Sequence, residues 1–197
     1  MGTLDKKEKI INAALEIMSE SGASFLKLNE IAKKAKVPPP LIHYYFKEIE
    51  DLHYEVILKV LTTLKDYSLK ESQSHSGDPA KVMRSYIRGP FLWAKQNPGY
   101  MSLWMYFYYL SSYSEKFKTL STQIRISGRE RIAMMIYQGV EKKVFKLSST
   151  ASIADTAEEI QAIISGQTIL FATEKTEHKM EYFLDLCTRR VFTILGI

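Results

Sequence analysis

The chain has 197 residues, 46% of them hydrophobic and 25% charged, with a formal net charge of +5, which is length and apolar content enough for one large or two small helical domains with a real core. Its single cysteine, Cys187, excludes a disulfide framework within one chain and suits a reducing cytoplasm. No apolar run precedes the charged LDKKEK of residues 4–9 and no apolar segment of about 18 residues occurs, so the protein is read as soluble, unexported and cytoplasmic.

In chain order, Asp5 followed by Glu8 makes a capping-box start, and Ile11, Ala14, Leu15 and Met18 form a helical stripe that Ser21 and Gly22 end. Leu28, Ile31, Ala32 and Ala35 then fall at i, i+3, i+4 and i+7, the apolar face of a short helix that leaves Lys33, Lys34 and Lys36 for solvent or phosphate. Val37 is the buried pivot of a turn, and Leu41, Ile42 and Tyr45 or Phe46 anchor a second short helix. Two short helices around a tight turn have the spacing of a helix-turn-helix DNA reader. Glu48, Glu50 and Asp51 suit the positive end of a long helix with the stripe Ile57, Val60, Leu61, Leu64.

Polar residues 68–79 read as the clearest linker, closed by Asp78-Pro79 as the N-cap and first position of the next helix. Gly89-Pro90 should bend that helix and Asn97-Pro98-Gly99 should end it. A short helix follows from Tyr100 to Ser111-Ser112, then a long one to about Lys146. Ser148–Thr150 separates the last two helices; Ser152 with Asp155 caps the first of them, which runs through Ala157, Ile160, Ile164 and Phe171. The final helix carries Met180, Phe183, Leu184, Cys187, Val191 and Ile194 on one face, opposite Arg189 and Arg190.

The segments IINAALEIMSESG, LNEIAKKAKV, a second motif helix ending in YYF and a long helix opening at Glu48 occur in the order found in TetR-type transcriptional regulators, and the chain resembles that family over roughly Lys9 to Ile57. The resemblance implies an all-α protein: a three-helix helix-turn-helix domain over residues 1–47 and a larger helical ligand-binding and dimerisation domain over 48–197, about nine helices in all. It further implies a homodimer that binds a palindromic operator, represses, and releases the DNA when a small molecule enters the larger domain.

Net charge alone does not place the DNA surface. Residues 1–56 hold eight lysines against nine carboxylates, whereas between positions 27 and 47 five lysines oppose only Glu30, so phosphate should meet the local cluster. Where the family's second motif helix opens with Ser and carries Gly and Thr, this chain has Pro38, Pro39, Pro40 and Leu41, which removes three backbone donors for phosphate. Because a residue preceding proline avoids the αR region, that helix should start at Pro40. Lys27 stands where the family has a phosphate-contacting Thr, His43 replaces the first aromatic of its Tyr pair, Tyr44 keeps the second, and Ile49 stands at a lysine position that Lys47 is near enough to serve. The candidate DNA contacts are therefore Lys27, Lys33, Lys34, Lys36, Pro39, Leu41, His43, Tyr44 and Lys47, with packing the alternative for His43 and plain solvation for Lys27. The second motif helix has no Arg, Asn or Gln, so base discrimination rests on His43, Tyr44, apolar contact with thymine methyls and DNA shape.

Between Phe91 and Tyr109 lie eight of the chain's 23 aromatics, with Lys95 the only charge. Both faces of the Tyr100–Tyr109 helix are apolar or aromatic, so it is buried all round or lines a cavity. Trp93, Tyr100, Trp104, Tyr108 and Met134 are the candidate contacts for a neutral aromatic or lipophilic effector, simple core packing being the alternative; Arg84 and Arg88 read as solvated. For dimerisation the last two helices offer the small residues Ala162 and Gly166 and the stripe Phe183, Cys187, Val191, a purely intramolecular core being the alternative. His43, His53, His75 and His178 lack metal-ligand spacing, and no CxxC, GxSxG or Gly-rich phosphate loop occurs, so neither an enzyme nor a cofactor is expected. The rival to a DNA-binding regulator is a helical small-molecule-binding dimer whose reading head has drifted.

Overall fold

The structure is a computed structural model that describes residues 3–22, 27–73, 77–174 and 180–197. Among the described residues there are nine α-helices and no strand, in agreement with the all-helical expectation; His75 and His178 lie outside them. By contacts the chain forms two units. One comprises residues up to Thr62 with Pro98–Lys118, the other Thr63–Asn97 with Thr119–Ile197.

The first unit contains α1 (Thr3–Ser21), α2 (Leu28–Ala35), α3 (Pro39–Tyr45), the opening half of α4 (Ile49–Gln73), α6 (Pro98–Ser111) and the first turn of α7 (Glu115–Glu141). Of the stripes read from the sequence, Ala14, Met18, Ile31, Ile57 and Val60 are fully buried, joined by Ile10, Leu52 and Val56, which that reading did not name, while Ile11 and Leu64 are only half-buried. Each large side chain among them contributes roughly 1.5–3 kcal/mol on leaving water. Gly22, at φ +85°, ends α1 by donating its amide to the Met18 carbonyl at 3.0 Å, a left-handed stop that glycine adopts without strain. Helix α2 ends the same way on a lysine. Lys36 takes φ 55° while its own amide reaches Lys33 O at 3.3 Å and that of Val37 reaches Ala32 O at 3.0 Å, the paired bonds that offset the cost of a side chain in this region. That turn sets α3 across α2. Helix α6 lies on α1, where a Cβ on Gly99 would stand 2.4 Å from the Ser19 carbonyl oxygen.

The second unit consists of the remainder of α4, α5 (Pro79–Gln96), the remainder of α7, α8 (Ile153–Thr173) and α9 (Met180–Ile194). Helices α5, α8 and α9 pack on one another around Met83, Ile87, Phe91, Ala157, Ile160, Cys187, Val191 and Leu195. The expected caps are in place: Asp78 accepts from the amides of Ala80 and Lys81, and Ser152 from that of Asp155. Pro90 sits inside α5, as expected, beside Gly89, whose absent Cβ lets Ser68 of α4 approach; a Cβ there would be 2.5 Å from Ser68 Cα.

Several boundaries differ from the sequence reading: α4 opens at Ile49, one residue late, and α6 at Pro98, two residues early. Helix α1 begins at Thr3, ahead of Asp5, and α3 begins at Pro39, one residue early, because proline's fixed φ suits a first helical turn. The expected linker is helical as far as Gln73: SLKESQ is polar but holds no Gly or Pro, and polarity on a solvated face does not break a helix. Helix α7 stops at Glu141 instead of about Lys146. There Lys143 turns to φ 57°, the Phe145 amide bonds Gly139 O at 3.0 Å, and the Phe145 ring lies where a Cβ of Gly139 would be.

Candidate nucleic-acid interface

The α2–turn–α3 pair presents a connected surface. Lys33, Lys36, Pro39, His43, Tyr44 and Lys47 are all exposed, and Leu41 is half-buried. Beneath them Ile42 and Phe46 are buried and hold α3 to the first unit's core, so the outward register of His43 and Tyr44 is fixed from behind. Tyr44 is 73% exposed and stands edge-on to Tyr45 at 5.2 Å. The first amide available at the head of α3 is that of Leu41, and it is already bonded to Pro38 O at 3.0 Å. Phosphate contact at this helix start therefore has no free proline amide to use.

The lysines separate into two groups. Lys34 is drawn back onto α1, where it pairs with Glu16 and lies 3.8 Å from Glu20; Lys27 lies 3.5 Å from Glu30, one turn on. Lys33, Lys36 and Lys47 make no ion pair among the described residues, leaving their charges for phosphate. Two of the N-terminal carboxylates are paired between α1 and α4: Lys7 bonds Glu55 at 2.5 Å, and Lys59 lies 3.4 Å from Glu8. Sequence inspection treated Lys33, Lys34 and Lys36 alike because the partners of Lys34 lie on another helix, where local spacing gives no sign of them. A hollow of about 50 Å³ lies under α3, walled by Leu28, Ile42, Phe46 and Leu52, far below the roughly 300 Å³ that a drug-sized ligand requires.

Behind the reading helix, the first turn of α4 is rich in polar contacts that the sequence did not announce. Asp51 accepts from the Glu48 amide at 3.4 Å and from Lys116 Nζ at 2.6 Å, and Ser114 Oγ donates to Glu50 at 2.5 Å. The Lys116 bond, aided by the Glu48 amide, holds the Asp51 carboxyl below its ordinary pKa. One turn on, His53 Nδ1 lies 3.4 Å from Tyr106 Oη while its Nε2 is buried with no partner among the described residues. Burial lowers the His53 pKa, and the charge of Glu50 opposes that shift.

The expected effector contacts are distributed between the two units. In the first, Trp104 is buried and its ring lies 5.7 Å from that of Tyr108, while Tyr100 is half-buried. Helix α6 is not buried all round: Met101, Leu103, Trp104, Phe107 and Leu110 are inside, but Met105, Tyr108 and Tyr109 face solvent, their sulfur and hydroxyl tips tolerating water. In the second unit Trp93 is wholly buried whereas Met134 is 59% exposed. Arg84 lies over the Phe192 ring at 4.9 Å, and Arg88 pairs with Glu71 at 3.3 Å; both are exposed.

The dimerisation candidates divide as well. Phe183, Cys187 and Val191 belong to the core formed with α5 and α8 within the protomer, which favours the intramolecular alternative for these three. Burial pushes the Cys187 thiol up to about 12. Ala162 and Gly166 remain exposed on α8, in line with Leu170, and a Cβ on Gly166 would meet nothing within 4 Å. No helix among the described residues is long and apolar enough to cross a membrane, and no cluster of three or more metal-ligating carboxylate, His or Cys side chains occurs among them.

Two short helices joined by a tight turn and carrying a basic outward face have the form of a helix-turn-helix unit, although the turn residue Val37, expected to be buried, is only half-buried. Residues 10–56 match the model for bacterial regulatory proteins of the tetR family, and this segment of the chain is similar to that family. Among its relatives, the HTH-type regulator BetI of Rhizobium meliloti is 27% identical over 115 residues, 58% of this chain and 56% of that protein. The regulator AcrR of Shigella flexneri is 30% identical over 83 residues, 42% of this chain and 39% of that one. The chain thus spans about half the length of the curated relatives it matches. A transcriptional regulator from Saccharomonospora viridis, solved in complex with choline, shares the fold with a TM-score of 0.81 over 94% of each chain at 18% identity.

Proposed function

We propose that this chain is a cytoplasmic repressor that binds a palindromic operator as a homodimer and leaves it when a small apolar or aromatic effector binds. The observation that carries the reading is the exposed set Lys33, Lys36, His43, Tyr44 and Lys47 on a buried helix-turn-helix frame. Lysine point charges supply a sequence-independent, salt-sensitive attraction, and His43 and Tyr44 reach the base edges. A helix as short as α3 contacts few base pairs, so two copies must read half-sites about 34–36 Å apart. The exposed small residues Ala162 and Gly166 on α8 support pairing between copies, because they let a second helix approach closely, and exposed Leu170 one turn on adds an apolar side chain to that face. The aromatic side chains of α6 support effector binding, as does the choline complex of the Saccharomonospora protein. Release follows if the effector favours a placement of the two reading heads that mismatches the operator; a ligand with equal affinity for both states shifts nothing.

The second reading, a small-molecule-binding dimer whose head no longer reads DNA specifically, is favoured by the amides missing at Pro38–Pro40. Footprinting on the DNA upstream of the chain's own coding region separates the two. Protection of a palindromic site supports the repressor; uniform, salt-sensitive retardation without a footprint supports the drifted head. An effector that binds without altering duplex affinity would defeat the induction step.

A further inference from the structure

Helix α3 ends at Tyr45 and α4 opens at Ile49, so three residues separate the reading helix from the next long helix. Asp51 lies at the centre of that junction. One carboxylate oxygen accepts from the Glu48 amide in the link at 3.4 Å, and the other accepts from Lys116 Nζ in the first turn of α7 at 2.6 Å. The same two turns meet three more times. Ser114 Oγ donates to Glu50 at 2.5 Å, Lys116 Nζ lies 4.8 Å above the Tyr54 ring, and buried Phe117 lies 5.9 Å from that ring. All seven residues belong to the first unit, whereas α7 continues as one helix beyond Lys118 with residues of the second.

We propose that Asp51 and Lys116 are positioning residues for DNA reading, locking the first turn of α7 to the link that carries the recognition helix. This rests on the DNA-binding reading above. A single exposed ion pair is weak, and Asp51 and Lys116 side chains are 43% and 37% exposed. Here the pair is one of four contacts on the same two turns, and its carboxylate also holds the backbone of Glu48. An axial shift or rotation of α7 is therefore delivered to the residue that caps the α3–α4 link, without any contact between Lys116 and DNA. Lys118 is the natural control, since among the described residues its ammonium pairs with Glu115 of its own helix alone, at 3.2 Å.

The test uses the full chain with Lys116→Met, Asp51→Asn, their combination, Lys116→Arg and Lys118→Met. Amide hydrogen exchange is read at Leu41–Phe46, and affinity is read on duplexes tiled across the DNA upstream of the coding region. Lys116→Met and Asp51→Asn should each raise exchange at Leu41–Phe46 and weaken duplex binding by about 3- to 5-fold, with the double variant no worse than either single one. Lys116→Arg should restore both measurements, and Lys118→Met should change neither. Unchanged exchange at Leu41–Phe46 in Lys116→Met overturns the proposal, as does a rise spread evenly over α1 to α4, which marks a merely structural bond. If the unmodified chain binds no duplex, the DNA-reading assignment falls, while the exchange data still decide whether the lock exists.

Discussion

Replacing Gly99 by alanine tests the packing of the reading unit directly. Gly99 lies in the first turn of α6, and a Cβ added there would stand 2.4 Å from the Ser19 carbonyl oxygen, 2.6 Å from Ser19 Cβ and 2.9 Å from Ser19 C on α1. Ordinary contact begins near 3.4 Å, so α6 and α1 must part by about 1 Å, and two of the three obstructing atoms are backbone that cannot rotate away. Overpacking of this kind costs about 1–3 kcal/mol. For a chain of this size each kcal/mol lowers the melting temperature by roughly 2–4 °C, giving an expected fall of about 2–12 °C. Gly166→Ala is the matched comparison. Its Cβ would enter open space within the protomer, and alanine inside a helix is favoured over glycine by about 0.5–1 kcal/mol. Circular-dichroism melts of both variants at low protein concentration, where the protomer is observed, provide the assay. An unchanged or raised midpoint for Gly99→Ala, or a fall for Gly166→Ala under those conditions, would refute the reasoning from these distances. At high concentration, loss of dimer in Gly166→Ala by sedimentation would place this face of α8 at the interface between copies.

Neutralising Lys33, Lys36 and Lys47 together should lower the slope of log affinity against log salt by about 2 to 3, near 0.9 per phosphate contact, whereas Lys34→Ala should leave the slope alone and cost about 0.2–1 kcal/mol of stability through its lost pairs on α1; fluorescence anisotropy across a salt series and a denaturant melt check the two halves. Since the Asp51 pKa is lowered in the fold, its stabilising contribution is fully present above the ordinary carboxylate value and disappears as pH falls through the lowered one. The stability gap between the unmodified chain and Asp51→Asn, measured by denaturation at neutral pH, should therefore close in strong acid, and a gap that widened on acidification would contradict the assignment. Cys187, buried and with its thiol pushed up to about 12, should resist alkylation at pH 8 until the chain is unfolded; rapid labelling in native buffer, followed by mass, would show the core described here to be wrong.

The helical stripes were legible because each is a local repeat. Ile31, Ala32 and Ala35 sit inside as their spacing requires, and the caps at Asp78 and Ser152 follow from side chains that bond amides two or three residues on. What the sequence did not disclose depends on distant partners. The Glu16 bond that draws Lys34 from the DNA face, the Asp51–Lys116 pair and the Phe145 ring lying on Gly139 all join residues whose proximity no periodicity encodes. The apolar face of α9 was recognised correctly as a stripe, but a stripe does not say whether it covers its own protomer or another; packing against α5 and α8 answers for Phe183, Cys187 and Val191.

Pro38, Pro39 and Pro40, described above as missing donors, also act on the unfolded chain. Each pyrrolidine ring fixes φ near −65° in every state of the protein, and a well-placed proline of this kind stabilises by about 0.4–1 kcal/mol through the disorder it denies the unfolded ensemble. The head of α3, with Pro38 at φ −66° and Pro39 opening the helix, is thus shaped before any duplex arrives. Little conformational freedom remains to be surrendered there on binding. The reading helix therefore exchanges hydrogen-bonding capacity for rigidity, and its selectivity should reside in whether a groove accepts a fixed shape.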